Sequence, residues 1–170
     1  FNDVVMIDLF YLWDMTWLIA LDEAVRFKMI SYMLDKLPRT LLRTLLRDWM
    51  RYFGPMRVLV SDQEGAVVSE EFGMETERFC IIRRLKGADS SGKHTGTGLV
   101  EKHVRLSKLA MLKIKRECDV QGLQVENSEI GEEAGMAQNL VLEYAGFTPA
   151  QAVIGHNPRG YYNFENDTVT

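Results

Sequence analysis

Only two cysteines occur in 170 residues. Cys80 and Cys118 belong to no CxxC and to no Cys/His pair at ligand spacing, so they cannot make a zinc site by themselves and read as buried thiols. No apolar run approaches the length of a membrane span. The apolar amino-terminal stretch is interrupted by Asp8 and Asp14 and has no basic region before it, which argues against a secretory signal, and an intracellular protein is expected. Internal repeats and low-complexity tracts are absent. An excess of positive charge is missing too: 20 Lys and Arg stand against 24 Asp and Glu, a net charge of −4. That argues against a wholly basic nucleic-acid-binding protein and leaves local patches open.

What is present suffices for one domain with a good core, since 46% of the residues are apolar or aromatic. The chain opens at Phe1 without a methionine and enters a strand almost at once, so it reads as a segment of something larger. Three strand-like runs come first, residues 4–12, "TWLIALD" around 16–22 and "VRFKMISY" at 25–32. Their short links make an antiparallel meander the economical arrangement. Pro38 suits a first helical position, and Leu41, Leu42, Leu45, Leu46, Trp49 and Phe53 recur at helical spacing before Gly54-Pro55. A short strand ending at Asp62, a helix over about 66–78 and a strand at 79–85 follow. Strands now alternate with helices, so the later part of the sheet is expected to run parallel to the first strand.

Residues 86–98, "KGADSSGKHTGTG", form the one clear flexible loop and deliver the chain into a long helix from Leu99 to about Glu117. A helix over about 133–145 and a short one begun by Thr148 and Pro149 complete the pattern. The expected division is a core over 1–155 and a tail or linker over 156–170.

Asp8 sits inside "VVMIDLFYLW", an otherwise apolar and aromatic run. Burying a lone carboxylate is costly unless a charge or a metal compensates it. Each acidic residue has a plain explanation alone: Asp8 as half of a buried ion pair, Asp62 as a helix cap, Glu101 as a carboxylate suited to a helix dipole. Together they have a joint one. A fourth strand parallel beside the first puts Asp8 and Asp62 face to face, and Glu101 reaches them through the glycine-rich loop. Such oxygen ligands suit hard divalent cations.

Four segments, in this order, carry a family resemblance: "MIDLF", "VLVSDQEGAVVSEEF", "HTGTGLVEKHVRLSK" and "GFTPAQAVIGHNPR". The chain resembles the catalytic core of retroviral and long-terminal-repeat retrotransposon integrases, ribonuclease-H-like Asp-Asp-Glu polynucleotidyl transferases. The 38 residues between Asp62 and Glu101 are close to the family's spacing. Gln63-Glu64 replace its usual compact turn after the second aspartate, and Thr97 stands where an asparagine is common. The resemblance implies a five-stranded mixed α/β sheet, first three strands antiparallel, flanked by helices. It also implies an Mg²⁺- or Mn²⁺-dependent transferase and endonuclease with Asp8, Asp62 and Glu101 as catalytic metal ligands. Its partners would be element-end and target DNA and further copies of itself, as a homodimer or larger homo-oligomer. Neither membrane nor small-molecule substrate is implied, and the place of action on chromosomal DNA would be the nucleus.

From Lys93 to Arg116, seven Lys and Arg face Glu101 as the only acidic residue. Arg105, Lys108 and Lys115 fall within about 40° of Glu101 on a helix. With Lys93, His94 and Lys102 they are the candidate DNA contacts, because a cationic stripe beginning at a carboxylate site is what a phosphate backbone requires. His103 reads as a surface histidine. Arg39, Arg43, Arg47 and Arg51 read as a solvated face, with a dimer contact as the resemblance-based alternative. Two other functions stay open: a decayed or domesticated core kept for DNA binding or assembly, and a ribonuclease-H-like nuclease.

Overall fold

The computed structural model describes residues 1–62, 65–85 and 97–158. Strand β1 (Val4–Leu12) is the middle of a five-stranded sheet of order β3-β2-β1-β4-β5. Its apolar continuity follows from that position, because a central strand with helices on both faces buries both of its side-chain rows. Val5 and Ile7 enter one core cluster and Met6 and Phe10 the other. The chain turns at Trp13 and Asp14, both with φ of 57°, and returns as β2 (Met15–Asp22), antiparallel to β1. Two consecutive left-handed residues make the tight primed turn that suits twisted hairpins. β3 (Lys28–Met33) pairs antiparallel with β2, and its outer side is an edge of the sheet. The expected meander is present. β3 starts three residues later than the apolar pattern suggests, since Val25 to Phe27 belong to the turn that Asp22 organises with hydrogen bonds from the Ala24 and Val25 amides.

Helix α1 (Pro38–Leu45) runs on through a π-helical turn (Leu46–Met50) into α2 (Arg51–Phe53) and stops at Gly54, φ 75°. Leu41, Leu45 and Trp49 are buried along it, while Arg39, Arg43, Arg47 and Arg51 are exposed. β4 (Val58–Ser61) then lies parallel to β1, and β5 (Ile82–Leu85) parallel to β4. The helix expected over 66–78 is two pieces, α3 (Gly65–Val68) and α4 (Glu70–Arg78). Ser69 divides them: it leaves the helical conformation and its hydroxyl accepts the Phe72 amide as an N-cap.

The long α5 (Thr97–Gln121) and α6 (Asn127–Val141) pack on the opposite face, and the short α7 (Pro149–Ile154) follows. Thr148 caps α7, its hydroxyl accepting from the Gln151 amide. α6 begins six residues earlier than its apolar spacing indicates, because Glu126 and Glu129 build a capping box. Close approach there depends on Gly131: a Cβ at that position would stand 2.1 Å from the Trp17 ring. The result is a sheet sandwiched between two helical layers. Cys80 is exposed and Cys118 half-buried, so the expectation of buried thiols is wrong for Cys80. It occupies the turn before β5 with φ of 56°, and its side chain projects outward.

Candidate functional site

The parallel ladder between β1 and β4 pairs Val4 with Val58, Val5 with Leu59 and Met6 with Val60. Every pair is 54 residues apart, and so are Asp8 and Asp62. Asp62 stands one residue beyond the end of β4, where the same offset carries it toward Asp8. Strand alternation sends both to the sheet face that carries Met6, Phe10 and Val60, the face covered by α5 and α6. The ladder's last pair is Met6 with Val60, β4 itself ends at Ser61, and β1 continues to Leu12. On the opposite face, the one carrying Ile7 and Leu18, lies a small pocket bordered by Ile7, Leu9, Leu18, Ser61 and Val67 with Asp8 and Asp62. Its volume is about 10 Å³, room for one water-sized species.

Asp8 is half-buried, as is Asp62. The apolar surroundings of Asp8 suggest deeper burial than the half-burial found. Glu101 sits in the first turns of α5, exposed, in a different cleft lined by Gly98, Lys102 and Arg105. Among the described residues, no three His, Cys, Asp or Glu side chains are gathered into a group that could hold a metal ion. Asp8 and Asp62 border one pocket and Glu101 another. The donor chemistry of Asp8 and Asp62 fits one hard cation; the three-carboxylate set for two ions is not assembled. Strand register fixes the aspartates, whereas Glu101 depends on where α5 begins and on how it is rotated.

The expected DNA contacts also separate. Lys102 and Arg105 are exposed beside Glu101. Lys108 lies over the sheet, its Nζ 5.6 Å from the Phe10 ring centroid, two residues beyond Asp8 on the same strand face. Lys115 is half-buried and donates to Asp119 at 2.7 Å, so its charge is engaged within the helix. Lys93 and His94, with Gln63, Glu64 and most of the glycine-rich loop, lie outside the described residues.

The clearest departure from the sequence reading is His103. It is buried, 1% exposed, and its Nδ1 is 2.9 Å from the Nζ of Lys28, itself 0% exposed. Lys28 Nζ also donates to Gln138 Oε1 at 2.8 Å. Burial lowers the Lys28 pKa to about 7. Burial, reinforced by the charges of Lys28, Arg26 and Lys102, lowers that of His103 to about 3. At neutral pH His103 is therefore an uncharged acceptor. The available signal was a lysine inside the strand run "VRFKMISY", where the alternation places it on a buried row.

No family model matches the sequence, and no curated protein matches it. Solved structures are similar in fold. The catalytic core domain of HTLV-2 integrase in its dimeric form with magnesium has a TM-score of 0.73 at 16% identity, covering 88% of this chain and 94% of that one. Its trimeric form gives 0.71 at 15%, covering 88% and 95%. The catalytic core domain of BIV integrase gives 0.75 at 12%, covering 91% and 95%. At these identities the likeness shows the fold: the ribonuclease-H-like mixed sheet with flanking helices seen in integrase catalytic cores.

Proposed function

We propose that the chain is an integrase-type core that binds DNA and takes part in assembling a nucleoprotein complex. The observation that carries this reading is the cationic flank of the carboxylate face: Lys102 and Arg105 exposed at the start of α5, and Lys108 reaching over Phe10 toward the end of β1 that holds Asp8. A phosphate backbone laid along α5 would exchange its counterions for these side chains. Assembly through further copies accords with the dimeric and trimeric forms of the HTLV-2 core.

A second reading, phosphodiester hydrolysis and strand transfer that insert element DNA into target DNA, is favoured by the 54-residue offset that carries Asp62 toward Asp8 at the end of β4. Bound magnesium would supply charge neutralisation and activation of an attacking oxygen. For that chemistry Asp8 and Asp62 would hold the cation, Glu101 would have to turn toward them and complete the set, and Lys108 would hold the scissile phosphate near Phe10. That no three His, Cys, Asp or Glu side chains are gathered among the described residues favours DNA binding and assembly over turnover.

One titration tests both. Labelled duplex DNA should bind the protein with an affinity that falls steeply with salt; Lys102→Ala with Arg105→Ala should weaken it, and binding unchanged by that pair would remove the proposal. Nicking or joining of the same DNA on adding Mn²⁺, lost in Asp8→Asn, would promote the second reading, and cleavage confined to RNA–DNA hybrids would indicate a nuclease instead.

A further inference from the structure

Lys28 is held at both ends. Its amide donates to Asn139 Oδ1 at 3.0 Å, and its carbonyl accepts from Asn139 Nδ2 at 2.7 Å, so an α6 side chain takes the place of a neighbouring strand at the open edge of β3. From that fixed backbone the ammonium passes through the interior to His103 Nδ1 and Gln138 Oε1. Gln138 in turn stands 3.5 Å from the Ser107 hydroxyl, one turn further along α5. Three elements, β3, α5 and α6, thus meet on one buried lysine whose side-chain partners are an imidazole and an amide.

Taking an ammonium out of water without a carboxylate beside it is unfavourable, and an apolar side chain would fill the same volume at less cost. An apolar side chain would also lose the hydrogen bonds that help fix how α5 is rotated on the sheet. Those bonds run to His103 and, through Gln138, to Ser107. His103 is two residues from Glu101, about 200° around the helix, so the tie holds the back of α5 while Glu101 faces the other way.

We infer that Lys28 is a positioning residue: through its bonds to His103 and Gln138 it sets the rotation of the first turns of α5, and so the direction in which Glu101, Lys102 and Arg105 are presented. The inference rests on the proposed function only for what those side chains then contact.

Amide hydrogen exchange tests it on the whole chain. Lys28→Met should speed exchange of the α5 amides from 99 to 105 about tenfold and leave the β1 and β2 amides unchanged. His103→Leu should do the same, whereas His103→Gln, which keeps an acceptor, should preserve protection. The double variant Lys28→Met with His103→Leu should be no worse than either single change. Unchanged protection in α5, loss spread evenly over the sheet, or additive effects in the double variant would overturn the inference. If Lys28→Met does not fold, the His103→Leu and His103→Gln pair decides alone. DNA affinity is read in parallel: local loosening with no change in DNA binding would leave the positioning role standing and count against the proposed function.

Discussion

Asp62, one residue past β4, stands at the offset from Asp8 shared by all three pairs of the β1–β4 ladder. Neighbouring carboxylates repel unless something positive lies with them.

A divalent cation bound there would stabilise the native state alone. At about one hundred times its dissociation constant, Mn²⁺ would add about 2.7 kcal/mol. Asp8→Asn should remove most of the resulting rise in melting temperature, with metal-free stability equal or higher. If Asp8 serves mainly as half of an ion pair, the same change lowers metal-free stability by about 3–5 kcal/mol and spares the metal response. Paired melts with and without Mn²⁺ read the difference.

On DNA, the exposed cations and the engaged one should behave differently. Replacing Lys102 and Arg105 by alanine should lower the slope of log affinity against log salt by about 2. Lys115→Ala should change it little, since Lys115 is bonded to Asp119. Anisotropy titrations at several salt concentrations test this, and equal effects at 102 and 115 would count against the assignment.

Stability should depend on pH through Lys28. Its folded pKa, about 7, lies below the ordinary lysine value of 10.5, so between the two the unfolded chain holds the extra proton. Stability contributed by the neutral amine is complete above 10.5, and it is lost as pH falls toward 7. For His103, lowered from 6.5 to about 3, the stability present above 6.5 is lost as pH falls toward 3. Lys28→Met should flatten the alkaline rise in the urea midpoint between pH 7 and 10, and a rise identical to that of the unaltered protein would refute the assignment.

Gly131→Ala should destabilise by about 1–3 kcal/mol, the usual cost of overpacking, because the new methyl would meet the Trp17 ring. Gly65→Ala, with nothing within 4 Å of the added carbon, should be close to neutral. Denaturant midpoints of the two variants make the comparison.

Local chemistry made much of the fold legible in the sequence. The apolar run around Asp8 in "VVMIDLFYLW" marked a buried strand, short links marked a meander, and Pro38, Gly54, Thr148 and Pro149 marked helix ends, because backbone preferences act within a few residues. Element limits moved where a side chain competed with periodicity, as at Ser69 and Glu126. The neighbourhood of Asp8 and Asp62 was legible too, since strand order and an offset of 54 residues are a matter of register. Other placements were decided only by tertiary packing. The site of Glu101 depends on how a 25-residue helix is seated and rotated on the sheet, which its sequence spacing from Asp62 does not fix. Burial of His103 against Lys28 joins residues 75 positions apart, through a hydrogen bond that exists only once β3, α5 and α6 have closed around it. A residue's own type and its near neighbours set strands, turns and caps; which face of a helix meets which strand is set by the volume left between packed layers.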